Sequence, residues 1–342
     1  MDLTLFKQNL KNGKLGGIYV FAGEEDYLIR YYLGELRRAI VTEPAFEVFN
    51  SALFDGEDVD FAAVKEAIKA PPMMSDYKIV EWRHADISSF KESDLSAFEE
   101  LIELSREYPY AAIAFSAPGD LFDFGTQKKP SVFVKRFDGA VNILRFDKST
   151  DNQLYSWLKK HFDSHGVGVT LEVLQALVFR SGHSMDVLFG EVQKLSALAK
   201  ARGAAAITVR DVEEVASSTP ECDAFALSNA ITDRNRRAAF LALEEMKLRR
   251  VEPTIIMGML SKVYDDLLTI SLLLEEGLGQ ADIEKALKIN TYKLKIYTAA
   301  VKRFAPGALE KTVSSLASAD MNSKFGGVTG YTAIELFISQ NI

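Results

Sequence analysis

The sequence predicts an α/β domain built on a parallel sheet, followed by two all-helical parts. Three observations lead there. Over residues 1–147, short apolar runs alternate with segments of helical period, the pattern of strands joined by crossover helices. After Phe146 the strand signal stops and apolar residues recur at helical spacing. Charge is partitioned in the same way: residues 1–147 carry 17 Lys and Arg against 25 Asp and Glu, residues 148–219 carry 8 of each, and residues 220–342 carry 15 of each. The expected domains are 1–147, 148–219 and 220–342.

In the first domain the strands are expected at IYVFA (18–22), FEVF (46–49), YKIVEW (77–82), YAAIAF (110–115) and VNILRF (141–146), with helices at 26–41, 60–69, 89–107 and 129–138. Ser149 or Thr150 can cap a helix starting near Asp151. Helical periods follow at 151–165, 170–181 and 184–202, and Gly203 ends the third. TVRD at 208–211 resembles a capping box, and SSTP (217–220) reads as a linker broken by Pro220. Further helices are expected at 223–232, 235–249, 252–276, 281–287, 290–304, 307–320 and 331–340. In the long 252–276 segment the apolar stripe reads as Ile255, Met259, Val263, Leu267 and Leu274.

The 342 residues have 48% hydrophobic content, enough for real cores, and a net charge of −8. Such a balance disfavours strong DNA binding by the chain alone. The single cysteine, Cys222, excludes an intrachain disulfide and fits a reducing cytosol. MDLTLFKQNLKNG has no apolar signal core, and runs such as LLTISLLL (267–274) are too short to span a bilayer. A cytoplasmic protein without a membrane partner is expected.

Candidate chemistry is sparse. The turn after the first strand, where a phosphate-binding loop would sit, reads FAGEEDYLIRYY. Gly23 is present, but Glu24, Glu25 and Asp26 occupy the cradle and no lysine follows. Three carboxylates repel a triphosphate and suit a helix N-terminus. His161 and His165 have the spacing of shared ligands but no third partner, so no metal is expected. Cys222 lacks an obvious basic partner, and Asp265 and Asp266 are adjacent on a helix and diverge. No catalytic site and no cofactor is expected. In GQADIEKALKINTYKLKIYTAAVKRF (279–304), Lys293, Lys295, Lys302 and Arg303 follow a helix and a turn. This is either a DNA-binding helix-turn-helix regulator or a bundle hairpin, and the neutral surroundings favour the hairpin.

The stretch APPMMSDYKIV (70–80) is the odd one. Pro71 and Pro72 end a helix, and Met73 and Met74 follow on a short stiff loop. An exposed apolar pair with little ordering entropy to lose can anchor an interface; the alternative is that one or both methionines fold back into the core.

IYVFAGEEDYLI (18–29), APPMMSDYKIVEW (70–82), SMDVLFGEVQKL with ITVRDVEEV (184–215), FALSNAITDRNRRAAFLALEEM (225–246), GLGQADIEKALKIN, KRFAPGALEKTV and SADMNSKFGG, in this order and spacing, resemble the delta subunits of the bacterial DNA polymerase III clamp loader over essentially the whole chain. The resemblance implies an AAA+-like (RecA-like parallel sheet) domain without a P-loop, a helical lid and a helical collar. It implies a non-ATPase subunit that opens the beta sliding clamp for loading onto primed DNA during replication. Its partners would be the clamp, the tau/gamma ATPase subunits and delta-prime. Such a subunit belongs to the polymerase (nucleotidyltransferase) complex without being an enzyme itself. Clamp-binding positions would be Pro72, Met73, Met74 and Ser75, where relatives usually carry larger or aromatic apolar residues. The family's final Lys-Ser/Thr-Gly motif is Lys324-Phe325-Gly326 here, so no role is carried over to it.

Overall fold

Five parallel strands organise the first part of the chain in a computed structural model that describes residues 2–328 and 330–342. The elements run α1 (Leu3–Lys11), β1 (Gly17–Gly23), α2 (Asp26–Ile40), α3 (Glu47–Asn50), β2 (Ser51–Asp55), α4 (Phe61–Lys69), β3 (Lys78–Arg83), α5 (Glu92–Glu107), β4 (Ala111–Pro118), α6 (Val132–Arg136) and β5 (Asn142–Arg145). The strand order is β2-β3-β4-β1-β5, and every pairing is parallel. This is the AAA+-like class.

The alternation of side chains along each strand explains the two layers of helices. On one face Ile18, Val20, Ala22, Val80, Ile113 and Phe115 join Val64 and Ile68 of α4 and Phe98 and Leu101 of α5. On the other, Tyr19, Phe21, Ile79, Ala112 and Ala114 join Phe6 of α1 and Ile29, Leu33 and Leu36 of α2. With both faces covered, the central strands read as unbroken apolar runs rather than alternating ones.

Two expectations are corrected here. FEVF (46–49) is not a strand: a 3-10 turn spans Pro44–Phe46, α3 follows, and the strand is the next segment, Ser51–Asp55. Pro44 presets the first helical turn, and Val48 and Phe49, which a strand would have buried, are exposed. The N-terminal segment forms α1, which was not anticipated. Asp2 caps it by accepting the Thr4 N–H, and Phe6 packs edge-on against Tyr19 and Phe21.

The chain separates into two compact units, Met1–Ser149 and Thr150–Ile342. Among the described residues, the regular elements of the second are all helices, apart from an isolated bridge between Gly168 and Ala206. It comprises α7 (Asp151–Ser164), α8 (Leu171–Ser181), α9 (Met185–Arg202), α10 (Val209–Val215), α11 (Pro220–Thr232), α12 (Arg236–Leu248), α13 (Pro253–Glu275), α14 (Gln280–Leu287), α15 (Thr291–Val301), α16 (Ala308–Phe325) and α17 (Tyr331–Asn341). Capping boxes open α7 (Thr150 with Gln153) and α10 (Thr208 with Asp211). Pro220 opens a helix rather than breaking one. It is the first residue of α11, whose N-cap Thr219 accepts the Cys222 N–H. α13 is the axis of the 220–342 core, and its buried stripe is Ile256, Leu260, Val263, Leu267 and Ile270. That is one position off the expected stripe at its N-terminal end, where Ile255 is exposed. Among the described residues no helix is long and apolar enough to cross a membrane.

Candidate partner-binding site

Helix α4 stops where its sequence requires. Ala70 is extended, as the residue before a proline prefers, and Pro71 and Pro72 cannot donate to helical carbonyls. The chain then crosses to β3 without regular structure, and side chains from the domain body take up its backbone polar groups. The Tyr110 hydroxyl donates to the Lys69 carbonyl (3.1 Å) and Lys78 Nζ donates to the Ala70 carbonyl (2.9 Å). Asn50 Nδ2 donates to the Met73 carbonyl (2.8 Å), while its Oδ1 accepts the Met73 N–H (2.7 Å). The Ser75 hydroxyl donates to the Tyr77 carbonyl (2.9 Å) and lies 3.3 Å from that of Ile40. Lys78 is itself buried, which lowers its ammonium pKa from the ordinary lysine value.

The pinned loop turns its methionines outward. Met73 is 45% exposed and Met74 79%, and Met74 sits in the left-handed region at φ 54°. A non-glycine residue there is strained by roughly 1 kcal/mol or more. A groove of about 650 Å³, lined by Leu15, Ala39, Ile40, Thr42 and Tyr77 among others, opens beside Met74. Pro72 is half-buried.

Asn50 is the residue that follows FEVF in the sequence. Nothing local marks it; only the fold brings it to Met73. Behind it, Arg37 of α2 reaches both Glu47 of α3 (3.3 Å) and the buried Glu81 of β3 (2.6 Å), and Arg83 joins Glu81 at 3.1 Å. These contacts fix α3 to the sheet.

The other candidates fall elsewhere. β1 ends at Gly23 and α2 starts at Asp26, leaving only Glu24 and Glu25 between them. Gly23 has φ 132°, and a Cβ on it would lie 2.3 Å from the Phe146 carbonyl oxygen. Glu25 is the α2 N-cap, its N–H donating to that same carbonyl, and Asp26 pairs with Arg30. A P-loop spans about eight residues and a lysine; this turn has neither.

Residues 279–304 do form two helices around a short turn, with Lys288 left-handed. Lys293 faces inward. Only 15% exposed, it pairs with Glu221 (2.8 Å) and Asp266 (3.2 Å). Burial pulls its pKa down, but the two carboxylates outweigh that and hold it above the ordinary value. Lys295 stays exposed near Glu172, Lys302 caps α15, and Arg303 is bidentate on Asp233. His161 packs edge-on against Trp157 and Phe189. No metal-binding cluster occurs among the described residues. Burial pushes the Cys222 thiol up to about 11, so it is not a reactive thiolate.

Fold and loop together define a class: an AAA+-like domain with a closed nucleotide turn, whose exposed chemistry is an apolar loop tip, followed by a helical unit. Comparison with known proteins gives the family. Residues 19–121 match the family described as DNA polymerase III, delta subunit, and residues 221–341 match its C-terminal domain. DNA polymerase III subunit delta of Bacillus subtilis is 24% identical over 97% of this chain and 95% of its own length. The probable subunit delta of Aquifex aeolicus is 24% identical over 90% and 86%. The solved structure of the Bacillus subtilis DNA clamp loader delta protein superposes with a TM-score of 0.57 at 21% identity, covering 98% of both chains. The chain belongs to the DNA polymerase III delta-subunit family.

Proposed function

We propose that this protein is the clamp-opening subunit of a bacterial clamp loader, and that Met73 and Met74, with Pro72 and Ser75 shaping the loop, are its contact with the beta sliding clamp. The observation that carries the reading is the pairing of opposites at residues 70–77: a backbone held by four side chains, and two apolar side chains left in water. A rigid loop has little entropy to lose on binding, so the methionines can spend their transfer free energy in a partner's apolar pocket. Binding that favours an open ring over a closed one shifts the ring's population toward opening.

The subunit would act without nucleotide of its own. ATP on the tau/gamma subunits would decide when the acidic first domain is presented, and delta-prime would complete the ring of subunits. In this reading residues 148–219 are the lid and 220–342 the collar that packs against neighbouring subunits in the cytoplasm. Lys295, Lys302 and Arg303 are the exposed members of the basic set that could approach primed DNA in the assembly, Arg303 while paired with Asp233, since Lys293 is committed to Glu221 and Asp266. The helix-turn-helix reading is weaker, because Leu294, Tyr297 and Ala300 of α15 are buried.

The test is release of the clamp from nicked circular DNA by the purified chain. Release above the spontaneous rate by the parent, and not by Met73→Ser/Met74→Ser, is expected. Equal release by both would sink the assignment of the loop.

A further inference from the structure

We propose that Asn50 is the positioning residue of the methionine tip: it fixes the direction in which Met73 and Met74 point while contributing no atom to the contact. This rests on the clamp-binding reading above. The observations are specific. Asn50 is the last residue of α3 and is 3% exposed. Both ends of its amide are spent on one residue, the donor on the Met73 carbonyl and the acceptor on the Met73 N–H. The other three tethers reach Lys69, Ala70 and Tyr77, at the two ends of the loop.

A side-chain amide bonded to both backbone groups of a residue imitates a strand partner. It fixes the plane of both peptide groups flanking Met73, and the chain then leaves at Met74 through a left-handed corner. That corner is unfavourable for a non-glycine residue and persists only where the surroundings over-determine it. Asn50 supplies that determination, and the Arg37–Glu47–Glu81 ion network holds α3, and so Asn50, against the sheet. The substitution Asn50→Asp would keep an acceptor for the Met73 N–H but oppose the Met73 carbonyl with a carboxylate oxygen. The substitution Asn50→Ala would leave both groups unpaired.

The experiment is a double-mutant cycle on the full chain, read as affinity for the cognate sliding clamp with thermal unfolding in parallel. The parent, Asn50→Ala, Met73→Ser/Met74→Ser and the triple variant form the cycle; Asn50→Ser, which keeps a neutral hydroxyl at the site, is the milder arm, to be used if Asn50→Ala does not fold. Asn50→Ala should weaken binding about tenfold, Asn50→Ser less, and Asn50→Asp at least as much as Asn50→Ala, because it buries an unpaired carboxylate. In the methionine-less background the same change should have no effect, because there is no tip left to aim. An Asn50 effect that is equal in both backgrounds is a merely structural one and overturns the proposal, as does parental affinity in Asn50→Ala or Asn50→Asp. Parental affinity in Met73→Ser/Met74→Ser instead overturns the clamp-binding reading itself. A loss there with no loss in the Asn50 variants leaves that reading standing and removes only the positioning role.

Discussion

The loop at 70–77 and helix α15 invert each other. In the loop two large apolar side chains face water, Met74 at 79% exposure; in the helix a lysine is withdrawn from it, Lys293 at 15%. Each departs from the usual rule of apolar inside and charged outside, and each departure has a compensating structure. Around Met73 and Met74 the compensation is rigidity, supplied by hydrogen bonds to the backbone, and it stabilises only the presentation. Around Lys293 it is charge, supplied by Glu221 and Asp266, and it is complete within the chain. The difference is that the lysine's partners lie within the chain, whereas on the reading proposed above the methionines' partner would be the clamp.

Variants should separate the two regions cleanly. The largest effect is expected from Met73→Ser/Met74→Ser, which should lower clamp affinity by about 2–4 kcal/mol, roughly 30- to 1000-fold, with an unchanged unfolding temperature. Next, Lys293→Met should leave Asp266 without its cation and Glu221 with only the more distant Lys262 (3.8 Å), and destabilise the helical unit by about 2 kcal/mol, a figure reduced from the fully buried case because Glu221 is partly solvated. Denaturant unfolding would show it, and clamp affinity of the folded chain should not move. Met74→Gly sharpens the contrast, because stability and binding should change in opposite directions. Relief of the left-handed corner is expected to stabilise by about 0.5–1 kcal/mol, while loss of the side chain weakens clamp binding. A variant that lost both would mean that Met74 is packed in the domain rather than offered from it.

The smallest effect concerns pH. Burial, and secondarily the nearby His165, hold the His161 pKa below its ordinary value. The unfolded chain therefore binds the proton first, near pH 6.5. The stability linked to neutral His161 is present above that pH and is lost as the pH falls through the lower folded-state value. Melts at pH 7.5 and pH 5.0 should show a smaller difference for His161→Phe, which keeps the aromatic contact with Trp157 and cannot titrate.

What was legible in the sequence follows from where the physics is local. Strands β1 and β4 were readable because strands covered on both faces are apolar throughout, β3 and the edge strand β5 were readable from the shorter apolar runs in YKIVEW and VNILRF, and the helical caps at Thr150 and Thr208 announce themselves within four residues. FEVF misled because Phe46 and Val48 alternate around Glu47 as a strand would, although Val48 and Phe49 are both exposed on α3. The methionine loop stood out from its two prolines. The residues that make it rigid did not, because Asn50 and Tyr110 lie 23 and 41 positions from the backbone groups they bind. Nor could the inward turn of Lys293 be read, since its partner Glu221 lies 72 positions away.

The most direct measurement labels the methionine methyl groups with carbon-13 and follows all eight by NMR as the cognate sliding clamp is added. Met185, Met246 and Met257, buried in helical cores, serve as internal controls. The account predicts that the Met73 and Met74 signals shift or broaden first and most, and that the three buried signals hold their positions. Unmoved Met73 and Met74 signals in a chain that binds the clamp would contradict it and place the contact elsewhere.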